Sequence, residues 1–204
     1  MFQYNPHMKR LIDFFLSVIG LLFLSPLFLF LCILICLESK GPPFFVQERI
    51  GKGMAPFRLI KFRSMTSDWN NSEKEFNPGD SSRVTKLGKI LRKTKIDELP
   101  ELLNVLIGDM SIVGPRPEVA LYVEAYPEDF AEILKIRPGL SDLASIKYRA
   151  EEIMLQSQVN PEKYYLDEIL PDKLRLARNY LEMISFKTDL RIIGDTLKNI
   201  LVRA

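Results

Sequence analysis

The sequence contains a single histidine, His7, and two cysteines, Cys32 and Cys36. No Cys/His set of metal-ligand spacing can be assembled, which excludes zinc chemistry and a Ser–His or Cys–His nucleophile pair. The two thiols stand four residues apart within one apolar run, where they share a helix face and are poor disulfide partners. They read as small hydrophobes. A strong charge of one sign is also missing: the formal net charge is +2, so composition makes no case for a nucleic-acid partner. Repeats and low-complexity tracts are absent too. Chemistry must therefore use carboxylates, lysine, arginine or a bound hard cation.

At 204 residues the chain suits one domain of ordinary size. A hydrophobic share of 47% beside 26% charged residues looks average for a soluble domain. That average hides a split, because nearly all the excess apolar character lies before residue 40. From Phe14 to Leu37 runs an apolar stretch of about 24 residues, roughly 36 Å as a helix and long enough to cross a bilayer core. It is too long for a cleaved leader, and Glu38-Ser39-Lys40-Gly41 offers no small-residue cleavage site. Ser25-Pro26 falls near its midpoint. Pro26 cannot donate to the carbonyl of Leu22, which in hydrocarbon needs another partner, and the Ser25 hydroxyl can supply one. A sharp bend there would let the chain enter and leave by one face, while a kinked spanning helix satisfies the same pattern. His7, Lys9 and Arg10 precede the run, and Lys40, Arg49, Lys52, Arg58 and Lys61 follow it. Basic residues on both flanks do not orient a spanning helix, but they suit a segment with both ends cytoplasmic.

The remainder reads as a mostly α-helical protein with a few short β-strands, an α+β arrangement. Residues 1–40 read as the membrane segment and 41–204 as one water-facing domain packed near the membrane surface. Phe44 to Arg49 and Phe57 to Arg63 read as strands around a Gly51-Lys52-Gly53 turn. Ser67 to Ser82 reads as a mobile loop. Thr85 to Thr94 is an amphipathic helix with Leu87, Ile90 and Leu91 on its apolar side. Further helices are expected from Asp97 or Glu98 to a stop at Gly108, over 119–125, over 127–136 ended by Pro138-Gly139, and over 171–185 and 188–202. Their apolar stripes beside Lys and Arg fit either a core face or helices lying in the membrane surface.

Charged and turn residues are densest from Arg83 to Glu118. Proline is tolerated in the first turn of a helix, so Pro100 places a helix start just upstream and Asp97 at or beside the N-cap. Free N–H groups and the positive end of the helix dipole favour a carboxylate there, and they also hold phosphate. Asp97 and Glu98 diverge by about 100° on a helix, so one can attack while the other takes a metal. An ordinary cap explains an isolated Asp-Glu equally well. The surroundings add weight: Arg83, Lys86, Lys89, Arg92, Lys93 and Lys95 precede the acids, and Arg116 follows, held between Pro115 and Pro117. Arginine offers bidentate contacts to phosphate. Lys61 and Arg63 add further cations.

FFVQERIGKGMAPFRLIKFRSM and LGKILRKTKIDELPELLNVLIGDMSIVGPRPE, in that order behind a Ser-Pro membrane segment, resemble the signature blocks of the bacterial sugar transferases known as monotopic phosphoglycosyl transferases. The resemblance implies a re-entrant membrane hairpin broken at Ser25-Pro26, membrane-surface amphipathic helices, and a cytosolic catalytic face on the bacterial inner membrane, in contact with its lipids. It implies Mg²⁺ held by Glu98 and Asp97, a UDP-sugar donor and a polyprenyl (undecaprenyl) phosphate acceptor. Asp97 would attack the β-phosphorus and release UMP, and the phosphosugar on Asp97 would then pass to the acceptor, an early membrane step of glycoconjugate and polysaccharide assembly. Lys61, Arg92 and Arg116 match positions expected near the phosphates, and Asp189 of SFKTDL matches a C-terminal family aspartate. Two departures touch specificity. Leu140 to Ser145 replaces a segment usually close to TGLAQ, and Ala177 stands where many members carry an aspartate.

Two other readings compete. A non-catalytic membrane module could use the basic face to bind anionic lipid or a partner. A carboxylate-pair glycosidase is disfavoured, since adjacent Asp97 and Glu98 are poorly placed to flank a sugar from opposite sides about 5 Å or more apart.

Overall fold

The computed structural model describes residues 5–66 and 83–203, with no side chains described for 201–203. The segment expected to be a mobile loop, Ser67 to Ser82, lies outside the described residues. The remainder is mostly helical with a few short strands, as the sequence implied.

Helix α1 (Pro6–Glu38) starts with Asn5 accepting from the His7 amide at 3.0 Å and Pro6 in the first turn. It is the one helix among the described residues long and apolar enough to cross a membrane. The backbone stays α-helical through Ser25-Pro26, with Pro26 inside the helix. The Ser25 hydroxyl donates to the Leu22 carbonyl at 2.8 Å, replacing the bond that Pro26 removes. Asp13, Ser17, Leu31 and Ile35 form a buried seam, while Leu22 and Phe23 near the proline are 71% and 83% exposed.

Both ends of α1 are tied to the rest of the chain. Near its start, Lys9 pairs with Asp189 at 2.5 Å, and Asp13 accepts from the Ser111 hydroxyl and the Ile112 amide at 2.8 and 3.1 Å. At its other end, Arg63 donates to the carbonyls of Ile35 in the last turn and of Ser39 and Lys40 just beyond it. Arg63 therefore caps α1 and is not part of the cationic cluster expected near the acids.

Strands β1 (Phe44–Ile50) and β2 (Pro56–Phe62) pair antiparallel, Phe44 opposite Phe62 and Ile50 opposite Pro56. Period-two alternation divides β2. Phe62 packs with Phe28, Leu31 and Ile35 of α1, and Leu59 packs with Val105 and Met110. Next come α2 (Lys86–Thr94) and, after a 3₁₀ turn over Ile96–Glu98, α3 (Glu101–Ile107), stopped by Gly108 at φ 103°. In α2 the apolar side is narrower than expected: Leu91 is buried but Ile90 is 59% exposed.

Strand β3 (Ser111–Val113), α4 (Ala120–Ala125), α5 (Pro127–Ile133) and β4 (Gly139–Ser141) follow. β3 and β4 are parallel, and beside them Gly114 and Gly139 pass so close that a Cβ on Gly139 would lie 2.0 Å from the Gly114 nitrogen. Only glycine permits that crossing. Helices α6 (Leu143–Lys147), α7 (Glu151–Gln156) and α8 (Pro161–Tyr164) lead through a π turn to α9 (Leu170–Glu182) and α10 (Phe186–Arg203). The largest core gathers Tyr122, Phe130, Ile133, Leu134, Ile169 and Leu174 from α4, α5, the π turn and α9.

Candidate active site

Lys95, in the left-handed region at φ 59°, ends α2 and turns the chain into the Ile96–Glu98 turn. That conformation is uncommon for a residue with a Cβ. Asp97 and Glu98 therefore sit in the turn ahead of α3 and not at its N-cap, which is Pro100 with no side-chain cap. The expectation of an Asp97 cap is corrected on this point, since the left-handed step at Lys95 inserts a separate turn. Both acids are nonetheless buried, 8% and 9% exposed, and Glu101 one turn later is 1% exposed.

Three elements converge on these acids. From β2, the Lys61 ammonium lies 3.1 Å from Glu98 and 3.2 Å from Glu101. From the segment after the Gly114–Gly139 crossing, Arg116 donates to Glu98 at 2.5 Å and to the Ser145 hydroxyl at 3.3 Å. Lys95 stands 3.9 Å from the same Glu98 oxygen. The alignment of β2 with α3 is set by Asn104, which is fully buried. Its side-chain oxygen accepts from the Ile60 amide at 3.0 Å, and its nitrogen donates to the Arg58 carbonyl at 2.7 Å.

These contacts separate the two neighbouring carboxylates. Burial opposes the charge on Glu98, but Arg116, then Lys61 and Lys95, outweigh it and hold Glu98 well below the usual carboxylate range. Asp97 is pushed up, first by burial and then by Glu98, against the pull of Lys61, Lys95 and Arg92. Its Oδ1 is buried with no hydrogen-bond partner. Burial pushes Glu101 up to about 7, with Lys61 opposing and Glu98 adding to the rise. Glu98 is thus the fixed anion of the group, and Asp97 is the less satisfied and more basic carboxylate. Among the described residues no three His, Cys, Asp or Glu side chains are grouped to hold a metal by themselves.

The sequence-expected residues divide accordingly. Asp97, Glu98, Lys61 and Arg116 come together. Arg92 acts on Asp97 through its charge, while its guanidinium bonds Ser64 at 3.1 Å and Glu152 at 3.1 Å. Asp189 is not brought to this group. Both its oxygens are taken, by Lys9 and by the Tyr180 hydroxyl at 2.7 Å, where α1, α9 and α10 meet. The two departures from the family pattern meet behind Arg116. Ser145 accepts from it, and Asp142 and Ala177 line a cavity of about 20 Å³ beside it. Glu101 and Asn104 were not anticipated. Glu101 follows Asp97 at i,i+4, a spacing that puts two acids on one helical face. Nothing local marks Asn104.

The sequence matches the family described as bacterial sugar transferase over residues 4–203. It is 39% identical over 163 residues to a UDP-N-acetylgalactosamine-undecaprenyl-phosphate N-acetylgalactosaminephosphotransferase of Aeromonas hydrophila, covering 78% of this chain and 38% of that protein. A UDP-glucose:undecaprenyl-phosphate glucose-1-phosphate transferase of Caulobacter vibrioides is 40% identical over 142 residues, covering 68% and 53%. An uncharacterized sugar transferase of Bacillus subtilis, EpsL, is 37% identical over 195 residues, covering 96% and 88%. The chain spans well under two thirds of the two relatives whose sugars are named. Matched along almost its entire length, and with the acids and cations of its signature blocks gathered in one buried site, the chain belongs to the bacterial sugar transferase family.

Proposed function

We propose that this chain transfers a sugar 1-phosphate from a UDP-sugar to a polyprenyl phosphate, with Asp97 as the nucleophile. The observation that carries the reading is a buried carboxylate with one unpartnered oxygen, surrounded by cations, in a chain whose named relatives transfer sugar phosphates to undecaprenyl phosphate. A carboxylate attacks phosphorus when nearby cations offset the phosphate charge.

In the first step an Asp97 oxygen bonds to the β-phosphorus, and the bond from that phosphorus to the bridging oxygen breaks. UMP leaves with the electron pair. In the second, a phosphate oxygen of the polyprenyl phosphate bonds to the same phosphorus, and the acyl phosphate bond breaks to restore the carboxylate. Charge balances without a proton. Arg116 stays charged beside Glu98, and it fits, with Lys61 and Arg92, to meet the diphosphate. Arg92 must exchange Glu152 for phosphate, a small cost because a partly exposed pair contributes about 0–1 kcal/mol.

The donor set fits a hard cation. Mg²⁺ takes one or two carboxylates and completes its shell with water and substrate phosphates. Asp97 would hold it through its unpartnered oxygen, and Glu98 through the oxygen not engaged by Arg116, Lys61 and Lys95. Bound there, it would neutralise charge on the diphosphate.

We place α1 as a re-entrant helix at the cytosolic face of the inner membrane, next to the catalytic part that follows residue 40. This placement is supported by Lys9 and Asp13 at one end and the Arg63-capped carbonyls at the other, which bind the same body. The exposed apolar residues of α10, Phe186, Leu190 and Leu197, suit contact with membrane lipid.

A screen of UDP-sugars with polyprenyl phosphate and Mg²⁺ tests the reaction by UMP release. One sugar should support turnover, and Asp97→Asn should abolish it. Retained turnover in that variant would favour the non-catalytic module and a contaminating activity. Cysteines placed at His7 and Ser39, in a chain freed of Cys32 and Cys36, should both resist labelling from outside intact spheroplasts.

A further inference from the structure

Lys9 and Arg10 looked in the sequence like generic basic residues flanking a membrane segment. Arg10 has a more specific place. Its guanidinium donates to the carbonyl of Val105 at 2.5 Å and to that of Leu106 at 2.7 Å, the last turn of α3. It also lies against Gly108, where an added Cβ would stand 3.2 Å from Arg10 Nη2. The last four carbonyls of a helix have no partner within it. In α3, that of Asn104 receives the amides of Gly108, Asp109 and Met110, and Arg10 takes the next two. Arg137 donates to the Gly108 carbonyl just beyond, at 2.6 Å. Two cations at this end also complement the helix dipole.

The other end of α3 touches α1 too. A Cβ on Gly20 would lie 3.3 Å from the Leu102 side chain, next to Glu101. A seven-residue helix, about 10 Å long, thus begins at the catalytic acids and is held at both ends by the membrane helix. A side chain at Gly20 would push on Leu102, and loss of Arg10 would free the far end.

We infer that Arg10 is a positioning residue for the transfer reaction: from the membrane helix it fixes α3, and through α3 the placement of Asp97, Glu98 and Glu101 against Lys61. This rests on the reaction proposed above. Arg10 acts through α3, its hydrogen bonds going to the Val105 and Leu106 carbonyls and not to the acids. A misplacement of about 1 Å at reacting groups costs on the order of 10²-fold in rate, while ground-state binding of the nucleotide is much less sensitive.

The test compares wild type, Arg10→Gln and Arg10→Lys in lipid nanodiscs. It measures kcat and KM for the accepted UDP-sugar, with hydrogen exchange over 97–110. Arg10→Gln should lose about 10- to 100-fold in kcat with KM within threefold, and exchange should quicken both at 105–109 and at 97–101. Lysine reaches one carbonyl, so Arg10→Lys should fall between the two. If Arg10→Gln does not fold, the same readings on Arg10→Lys decide. Unchanged kcat per folded molecule, or faster exchange confined to 105–109, would overturn the inference. Wild-type enzyme that releases no UMP with any sugar would instead refute the reaction, and the exchange comparison would still judge the coupling of Arg10 to the acids.

Discussion

Replacing Asn104 with alanine probes the joint on which the site depends. The Asn104 side chain satisfies the Ile60 amide and the Arg58 carbonyl on the edge of β2 turned away from β1, and it is fully buried. Alanine leaves both backbone groups without partners in the interior. Each costs about 1–3 kcal/mol, so Asn104→Ala should lose about 2–6 kcal/mol, a large part of the roughly 5–15 kcal/mol that holds a domain together. Asn104→Asp sharpens the test. Ionised, it still accepts from Ile60 but turns an acceptor toward the Arg58 carbonyl; protonated, it can donate there. The folded state therefore raises its pKa above the unfolded value of about 3.9. Its contribution is full below that value and is lost as pH rises through the folded pKa. Unfolding followed by circular dichroism in detergent at pH 4 and pH 7 reads both variants. Asn104→Ala within 0.5 kcal/mol of wild type would refute the reasoning, as would an Asp variant that gains stability relative to wild type with rising pH.

Glu101 gives a second pH test. Its carboxyl lies near 4.5 when unfolded and at about 7 when folded, so the protonated form stabilises fully below 4.5, and that stability is lost as pH rises through 7. Glu101→Gln should remove a slope worth up to about 3 kcal/mol, measured by unfolding against pH. It should keep most activity, because the amide oxygen still faces the Lys61 ammonium, 3.2 Å away in the native pair, whereas Glu101→Leu should not. Arg116→Lys, which cannot bridge Glu98 and Ser145 with a planar fork, should lower kcat/KM by about 10- to 100-fold in steady-state assays. Because Asp97 is harder to ionise than a free aspartate, kcat/KM should fall on acidification through a pKa above 3.8. Ser25→Ala should cost about 1 kcal/mol in lipid but almost nothing beside Pro26→Ala, which restores the amide donor to Leu22.

Much of this arrangement is legible in the residues. The β1–β2 pair follows from alternation around Gly51 and Gly53, the end of α3 from Gly108, and the repair of Pro26 by Ser25 from helix geometry. Asp97, Glu98, Lys61 and Arg116 were gathered by their ordered blocks. What escaped depends on distant partners. β3 and β4 are three residues each, too short to show a period, and the Gly114–Gly139 crossing joins points 25 residues apart in sequence. The short helices between 143 and 164 carry no long apolar stripe. Asn104 looks like any polar residue within a helix until β2 lies beside it. Lys9 and Arg63 read as loose cations because nothing near them in sequence names Asp189 or the end of α1. Asp189 read as a site residue for the converse reason, a local motif whose carboxylate is engaged elsewhere.

The proposed reaction turns on the covalent step at Asp97. Enzyme incubated with its UDP-sugar and Mg²⁺ but no polyprenyl phosphate, then digested and analysed by mass spectrometry, tests it most directly. A phosphosugar on the peptide containing Asp97 is expected, with roughly one UMP released per enzyme and loss of the adduct when polyprenyl phosphate is added. UMP released only when the acceptor is present, with no adduct on Asp97 at any time, would contradict it.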